Sequence, residues 1–291
     1  AATAAPPARV TAPPAPAADR APVYGAPVAR QGAPGRRGFG WTLRDEAAAR
    51  EAGEIDDHLV SLLAPTSFAA EQYRAVRLAV ERFRHERGTR VVAVSSPGRG
   101  EGRTTTAINL AGALAQAPDA HVALVDADLR HPGVAGLLGL PAGRGLSGYL
   151  HDSAVAVDAV LARPAGIAFT VVSAGATPSM PYELLKSPRL AGLLAALRER
   201  YDYVVLDTPP VLPFPDVGIL RDAVDGFVLV VRAQRTPREM LRDSVGVVGR
   251  DRALGVVFND DERNAVDTLA QEAEGGWRRY VPRPLGGARV A

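Results

Sequence analysis

The sequence predicts a doubly wound, mainly parallel α/β sheet with a phosphate- and metal-binding edge. Three segments point to it: Ser95–Thr106 (SSPGRGEGRTTT), Leu124–Pro132 (LVDADLRHP) and Val204–Pro210 (VVLDTPP). Each closes a hydrophobic, strand-like run. The first closes it with a glycine-rich turn that opens a helix, and the other two close it with aspartates. In an open parallel sheet the carboxyl ends of the strands share one edge, and ligands bind there. Strands that alternate with helices along the rest of the chain give the same fold class.

The elements follow in order. Residues 1–40 are rich in Ala, Pro and Gly and lack hydrophobic periodicity. Such a stretch cannot bury enough surface to offset its ordering entropy, so a disordered linker is predicted over residues 1–55. Its opening, Ala/Pro-rich and without Met, is expected to be a processed start or a fragment, and no signal peptide is visible. A helix is predicted from Pro65, because Ala69, Tyr73, Val76, Val80 and Phe83 recur at helical spacing. Arg90–Ser95 reads as a β-branched strand. Gly102–Gln116 reads as a helix with Ala107, Leu110, Ala111 and Leu114 on one face. Val122–Asp126 and Phe169–Ser173 are the next strands. Ser187 and Pro188 form an N-cap and first-turn pair, and Leu190, Leu193, Leu194 and Leu197 make the stripe of the helix they open. Tyr203–Asp207, Phe227–Val231 and Gly255–Phe258 are strands, with a helix over Pro237–Val248 between the last two. Residues 260–291 lose periodicity and are expected to be a flexible tail.

Composition excludes several classes. The 291 residues contain no cysteine, so disulfide frameworks, thiol nucleophiles and zinc fingers are absent. The five histidines are scattered, which leaves an oxygen-rich site suited to Mg²⁺. No run of 18 apolar residues exists. The net charge of +2 is small, and Lys186 is the only lysine. The basic pI therefore reflects arginine usage, and no nucleic-acid partner is expected.

Gly98, Gly100 and Gly102 alternate through the turn, around Glu101. Glycine there lets consecutive N–H groups point inward as an anion nest, and the helix that follows adds its positive N-terminus. Thr104 is the expected Mg²⁺ hydroxyl, and Thr105 a contact to the α-phosphate. Arg103 occupies the place where a phosphate loop carries lysine. Arginine still binds phosphate, and bidentately, but the exchange is not conservative at a shaped site. Binding is expected to survive the exchange better than transition-state positioning does. Asp126 and Asp128 lie two apart at a strand end. Phosphoryl transfer needs carboxylate-held Mg²⁺ and a group that orients the attacking hydroxyl, and one aspartate can do each. Arg130 is expected to bind phosphate or pair with these acids. Asp207 is the expected water-mediated Mg²⁺ ligand, with Thr208-Pro209-Pro210 forcing a sharp exit that exposes its carboxylate.

These residues resemble the bacterial tyrosine autokinases of capsule and exopolysaccharide synthesis (BY-kinases of the CapB and Wzc type). That family's phosphate loop reads PGEGKS or PGEGKT; here it is RGEGRT. Its D-x-D-x-R motif after three apolar residues matches Ala123–Arg130, and its D-T-P-P matches Asp207–Pro210. Ala174–Leu185 (AGATPSMPYELL) is similar to its A-G-x-x-P-x-x-P-x-E-L-L. The resemblance runs from about Asp56 to Asn259 and implies a P-loop kinase-like domain over residues 56–259 with a ParA/MinD-like fold. It implies ATP and Mg²⁺ as cofactors and catalytic roles for Asp126, Asp128 and Arg103. Gly98, Gly100, Glu101, Gly102, Arg103, Thr104 and Thr105 would bind nucleotide, and Thr104, Asp128 and Asp207 the metal. It further implies a membrane polysaccharide co-polymerase as activator, and a cytoplasmic place at the inner face of the plasma membrane.

The helix before the first strand carries Glu71, Arg74 and Arg77, which match the family's self-association motif E-x-x-R-x-x-R. Two features depart from the family. One is Arg103. The other is the tail, where Tyr280 stands alone instead of in a tyrosine cluster and is the expected tail phosphosite; Tyr24 is its counterpart in the other tail. A catalytically degenerate, nucleotide-binding regulatory module is the alternative. Partitioning ATPases are a third reading, but their signature lysine falls at Gly98 here.

Overall fold

A computed structural model describes residues 53–260. The linker before residue 53, the tail beyond 260, Tyr24 and Tyr280 lie outside the described residues.

Chain order begins with two helices, α1 (Val60–Leu63) and α2 (Phe68–Arg87). Then follow β1 (Val91–Ser95), α3 (Arg103–Ala115), β2 (Val122–Asp126), α4 (Val134–Leu137) and α5 (Gly145–His151). A 3₁₀ turn at Val157–Val160 leads to β3 (Thr170–Val172), α6 (Pro181–Leu185), α7 (Pro188–Arg200) and β4 (Tyr203–Asp207). The described chain ends with α8 (Asp216–Arg221), β5 (Gly226–Arg232), α9 (Arg238–Val248) and β6 (Ala253–Asn259).

The six strands form one sheet in the order β3-β2-β4-β1-β5-β6, and every pairing is parallel. Parallel strands need covered faces, and their sequences are accordingly continuous apolar runs. VVAVS, VALVD and YVVLD are buried at every position. One face packs on Leu59, Val80, Ile108, Leu110 and Leu114 from α3, α2 and the turn before α1. The other packs on Leu146, Leu185, Leu193, Leu197 and Leu220 from α5, α6, α7 and α8. Helices on both faces make the sheet doubly wound, as the sequence predicts.

Helix α3 is buried from Thr106 to Leu114, so it is a core helix with its N-terminus aimed at the strand ends. Helix α2 starts at Phe68, not at Pro65, because the Ser67 hydroxyl caps it by accepting from the Ala70 N–H at 3.2 Å. Ser187 caps α7 as expected, accepting from the Arg189 N–H. The order places β1 centrally with β4 and β5 on either side. Connections leave it in both directions, which is where a doubly wound sheet opens its ligand crevice.

Candidate active site

The loop after β1 is shaped by left-handed backbone at Gly100 (φ 73°) and Gly102 (φ 89°). Gly102 is also required sterically, since a Cβ there would lie 2.1 Å from Asn259 Nδ2. That Asn259 amide donates to the Glu101 carbonyl at 3.1 Å. The Glu101 carboxylate is buried, and it accepts from Thr236 Oγ1 at 2.7 Å and from the Gly98 N–H at 3.2 Å. Gly98 therefore does not present a free N–H to a phosphate as the sequence reading expects, and Glu101 braces the loop from within. No side chain caps α3 at Gly102, so the positive helix end stays open to an anion.

Arg103 is turned inward. Its Nε donates to the Thr208 carbonyl at 2.9 Å, and its Nη1 to Ser96 Oγ and the Gly98 carbonyl, both at 3.1 Å. Its Nη2 pairs with Asp128 Oδ2 at 3.0 Å. Asp128 also accepts the N–H groups of Arg130 and His131 on Oδ1, at 3.2 and 3.0 Å.

Asp126 and Asp207 are register partners at the ends of β2 and β4. Asp126 accepts the N–H groups of Asp128, Gly133 and Val134, and so shapes the turn into α4. Desolvation pushes its carboxyl up to about 7, helped by the Asp128 charge and opposed by those N–H groups. Asp207 is fully buried, which corrects the exposed carboxylate read from the sequence. Thr208 and Pro209 do not leave the sheet. They fold back on β1 through Thr208 N–H to Val94 O, Ser95 Oγ to Pro209 O and Val211 N–H to Ser96 O. Neither Asp207 oxygen has a hydrogen-bond partner among the described residues. Burial drives this carboxyl well above the usual range and the Asp126 charge adds to that, while the Thr104 hydroxyl and the Arg103 guanidinium offset part of it.

These residues fit a divalent cation. Two orphaned carboxylate oxygens beside a second carboxylate and a hydroxyl are a hard, anionic, oxygen-only donor set. Among the described residues no preformed group of three acidic or histidine ligands exists. Mg²⁺ takes one or two carboxylates plus nucleotide phosphates and water, which matches the Asp207, Asp126 and Thr104 oxygens.

Sequence reasoning paired Arg130 with phosphate or with the nearby acids. The structure pairs it with Asp216, at 2.9 and 3.2 Å from the two oxygens of a fully buried carboxylate. Asp216, Phe214, Thr236 and Asn259 were not foreseen, and no local spacing signals them. Glu71 and Arg74 form an ion pair with each other. Arg74 also donates to Gln116 Oε1, and Arg77 to Glu81 and the Ala113 carbonyl, so both arginines brace their own helix pair.

A glycine-rich loop on an open helix end, facing carboxylates on adjoining strands, defines a P-loop nucleoside-triphosphate site. Comparison with known proteins narrows that class, although no family model matches the chain. Tyrosine-protein kinase YwqD of Bacillus subtilis is 33% identical over 204 residues, covering 69% of this chain and 85% of that protein. The succinoglycan biosynthesis transport protein ExoP of Rhizobium meliloti is 32% identical over 213 residues, covering 69% of this chain and 26% of that longer protein. The kinase domain of the Escherichia coli tyrosine kinase ETK superposes with a TM-score of 0.67 at 25% identity, covering 72% of this chain and 82% of that one. The cell-division ATPase MinD of Pyrococcus furiosus, at 20% identity and a TM-score of 0.50 over 63% of this chain and 80% of that one, shows the shared ParA/MinD-like fold alone. The chain belongs to the bacterial tyrosine-protein kinases of capsule and exopolysaccharide biosynthesis.

Proposed function

We propose that the chain is a Mg²⁺- and ATP-dependent protein-tyrosine kinase whose turnover is held down by Arg103. The observation that carries this reading is the side-by-side placement of Asp126 and orphaned Asp207 against the open N-terminus of α3. The α3 end, the loop and Thr105 bind the phosphates. Thr104, Asp128 and Asp207 would hold Mg²⁺, which would neutralise charge developing on the phosphate oxygens; in the structure Asp128 is paired with Arg103. Asp126, at the end of β2, would orient the acceptor phenol and take its proton. The phenolic oxygen then bonds to the γ-phosphorus as the bond to the β–γ bridging oxygen breaks, and ADP leaves.

Relatives named for capsule and succinoglycan systems, together with the solved chimera CapA2B2, support a membrane co-polymerase as the activating partner. Among the described residues no helix is long and apolar enough to cross a membrane. In this reading the partner holds the kinase at the inner face of the plasma membrane. Self-association through Glu71, Arg74 and Arg77 belongs to the same reading. The Arg103–Asp128 pair favours a second one, a nucleotide-binding module without transfer.

Incubation with γ-labelled ATP, Mg²⁺ and a Glu/Tyr copolymer, with and without the co-polymerase's cytoplasmic tail, separates the two. Label on tyrosine supports the kinase. Nucleotide binding without label under either condition supports the module.

A further inference from the structure

A cationic, aromatic rim stands beside this site, and the phosphate-binding reading assigns no role to its side chains. Phe214 is its centre and is half-buried. The Arg130 guanidinium carbon lies 4.4 Å from the ring centroid and that of Arg99 5.3 Å, while the His131 ring stacks on it at 6.4 Å and 26°. The buried Asp216 carboxylate fixes Arg130 with both oxygens and offsets its charge. Arg99, by contrast, is exposed and forms no ion pair to a described residue. His131 is exposed beside it. The rim therefore presents a half-buried aromatic ring packed among cations, with the uncompensated positive charge on exposed Arg99.

Its position says what it serves. Arg99 belongs to the phosphate loop. The Arg130 and His131 N–H groups bond to Asp128, so the rim adjoins the aspartates and not the far end of a nucleotide. Through those two residues Phe214 is tied to the Asp128 turn at the carboxyl end of β2.

We propose that this rim docks the acceptor segment and selects a tyrosine with acidic neighbours on another protein. The proposal rests on the kinase reading above and names its substrate class. The exposed part of Phe214 offers apolar contact to the acceptor segment, and Arg99 attracts carboxylates beside the acceptor tyrosine. The same charge disfavours Tyr280, whose neighbours Arg278, Arg279 and Arg283 are basic. Tyr24, flanked by Val23 and Gly25, gains nothing from it.

The test uses the full chain with Mg²⁺, a non-hydrolysable ATP analogue and three fluorescent peptides. They share one central tyrosine and carry Asp/Glu, Ala/Ser or Arg flanks. Anisotropy is expected to show the acidic peptide binding about tenfold tighter than the basic one, with the difference shrinking in high salt. Arg99→Glu should invert the order. Phe214→Ala should weaken all three peptides while leaving the affinity for the ATP analogue unchanged. Equal binding of the three peptides overturns the proposal, as does a Phe214→Ala variant that loses nucleotide and keeps its peptides. The same peptides with γ-labelled ATP then report on the kinase reading separately. Preferential binding without transfer would retain the docking site and reject the kinase.

Discussion

Arg103 Nη2 lies 3.0 Å from Asp128 Oδ2, and the two side chains are only 10% and 1% exposed. The pair joins the residue at the lysine position to the aspartate that the proposed mechanism gives to metal or hydroxyl. In that proposal each would hold the other away from its task until a ligand separated them. The planar guanidinium makes this possible, because it also bonds the Thr208 and Gly98 carbonyls and Ser96 at the same time. An ammonium, with three donors and no fork, satisfies fewer of these contacts.

Asp207→Asn should remove the Mg²⁺-dependent part of nucleotide binding, by tenfold or more in calorimetry, roughly the worth of one charge-assisted contact. The unliganded protein should meanwhile be as stable or more stable, by up to about 2 kcal/mol, since an unpartnered buried carboxyl beside Asp126 is replaced by a neutral amide. A less stable variant with unchanged Mg²⁺ dependence would count against the metal assignment.

Asp126 gives a pH dependence of definite sign. Its folded pKa is raised to about 7, so the folded state keeps a proton that the unfolded state releases near pH 4. Its contribution to stability is full below that unfolded value and is lost as pH rises toward 7. Denaturant titrations should show Asp126→Asn gaining on the wild type between pH 5 and 7. A constant difference would mean that Asp126 ionises normally.

Asp225 has the opposite sign. Burial raises its pKa, but Arg198 (2.7 and 2.8 Å) and the N–H groups of Val91 and Arg90 outweigh this and hold it below the ordinary value. Its stabilisation is present above the unfolded pKa and is lost as pH falls through the lower folded one. Asp225→Ala should cost about 2 kcal/mol at pH 7, because it leaves charged and backbone donors without their acceptor. The cost should vanish in acid below the folded pKa, as measured by urea denaturation.

Glu71 is the member of the helix stripe free to test self-association, because Arg77 also holds the Ala113 carbonyl. Glu71→Arg should shift the protein toward monomer in sedimentation with less than about 0.5 kcal/mol lost in stability, as expected for an exposed i, i+3 pair. An unchanged oligomer would return the stripe to an intramolecular role.

The sequence made the strands beneath the site legible, because buried parallel strands are unbroken apolar runs, and VALVD and YVVLD end them in acids. The start of α7 was legible from Ser187 and Pro188. The short helices α4, α5, α6 and α8 were not, since four to seven residues hold too few turns for a periodic stripe. The loop brace was invisible for another reason: Glu101 meets Thr236 and Asn259 across 135 and 158 residues. Arg130 and Asp216 are 86 apart. Asp207 misled because its Pro-Pro exit suggests a turn into solvent, whereas its neighbours hydrogen-bond back onto β1.

Single-turnover transfer of γ-labelled phosphate by the wild type and by Arg103→Lys tests the central claim most directly. Lysine cannot keep all the contacts that bind Arg103 to Asp128, Thr208, Ser96 and Gly98. It therefore frees the aspartate and places a compact charge among the outer phosphates. The account predicts a faster rate, approaching about a hundredfold, which is what one transition-state charge contact is worth. Nucleotide affinity should change less, because the α3 terminus and the loop supply much of the binding. A slower Arg103→Lys enzyme would contradict the account and make the guanidinium fork part of the working catalytic geometry.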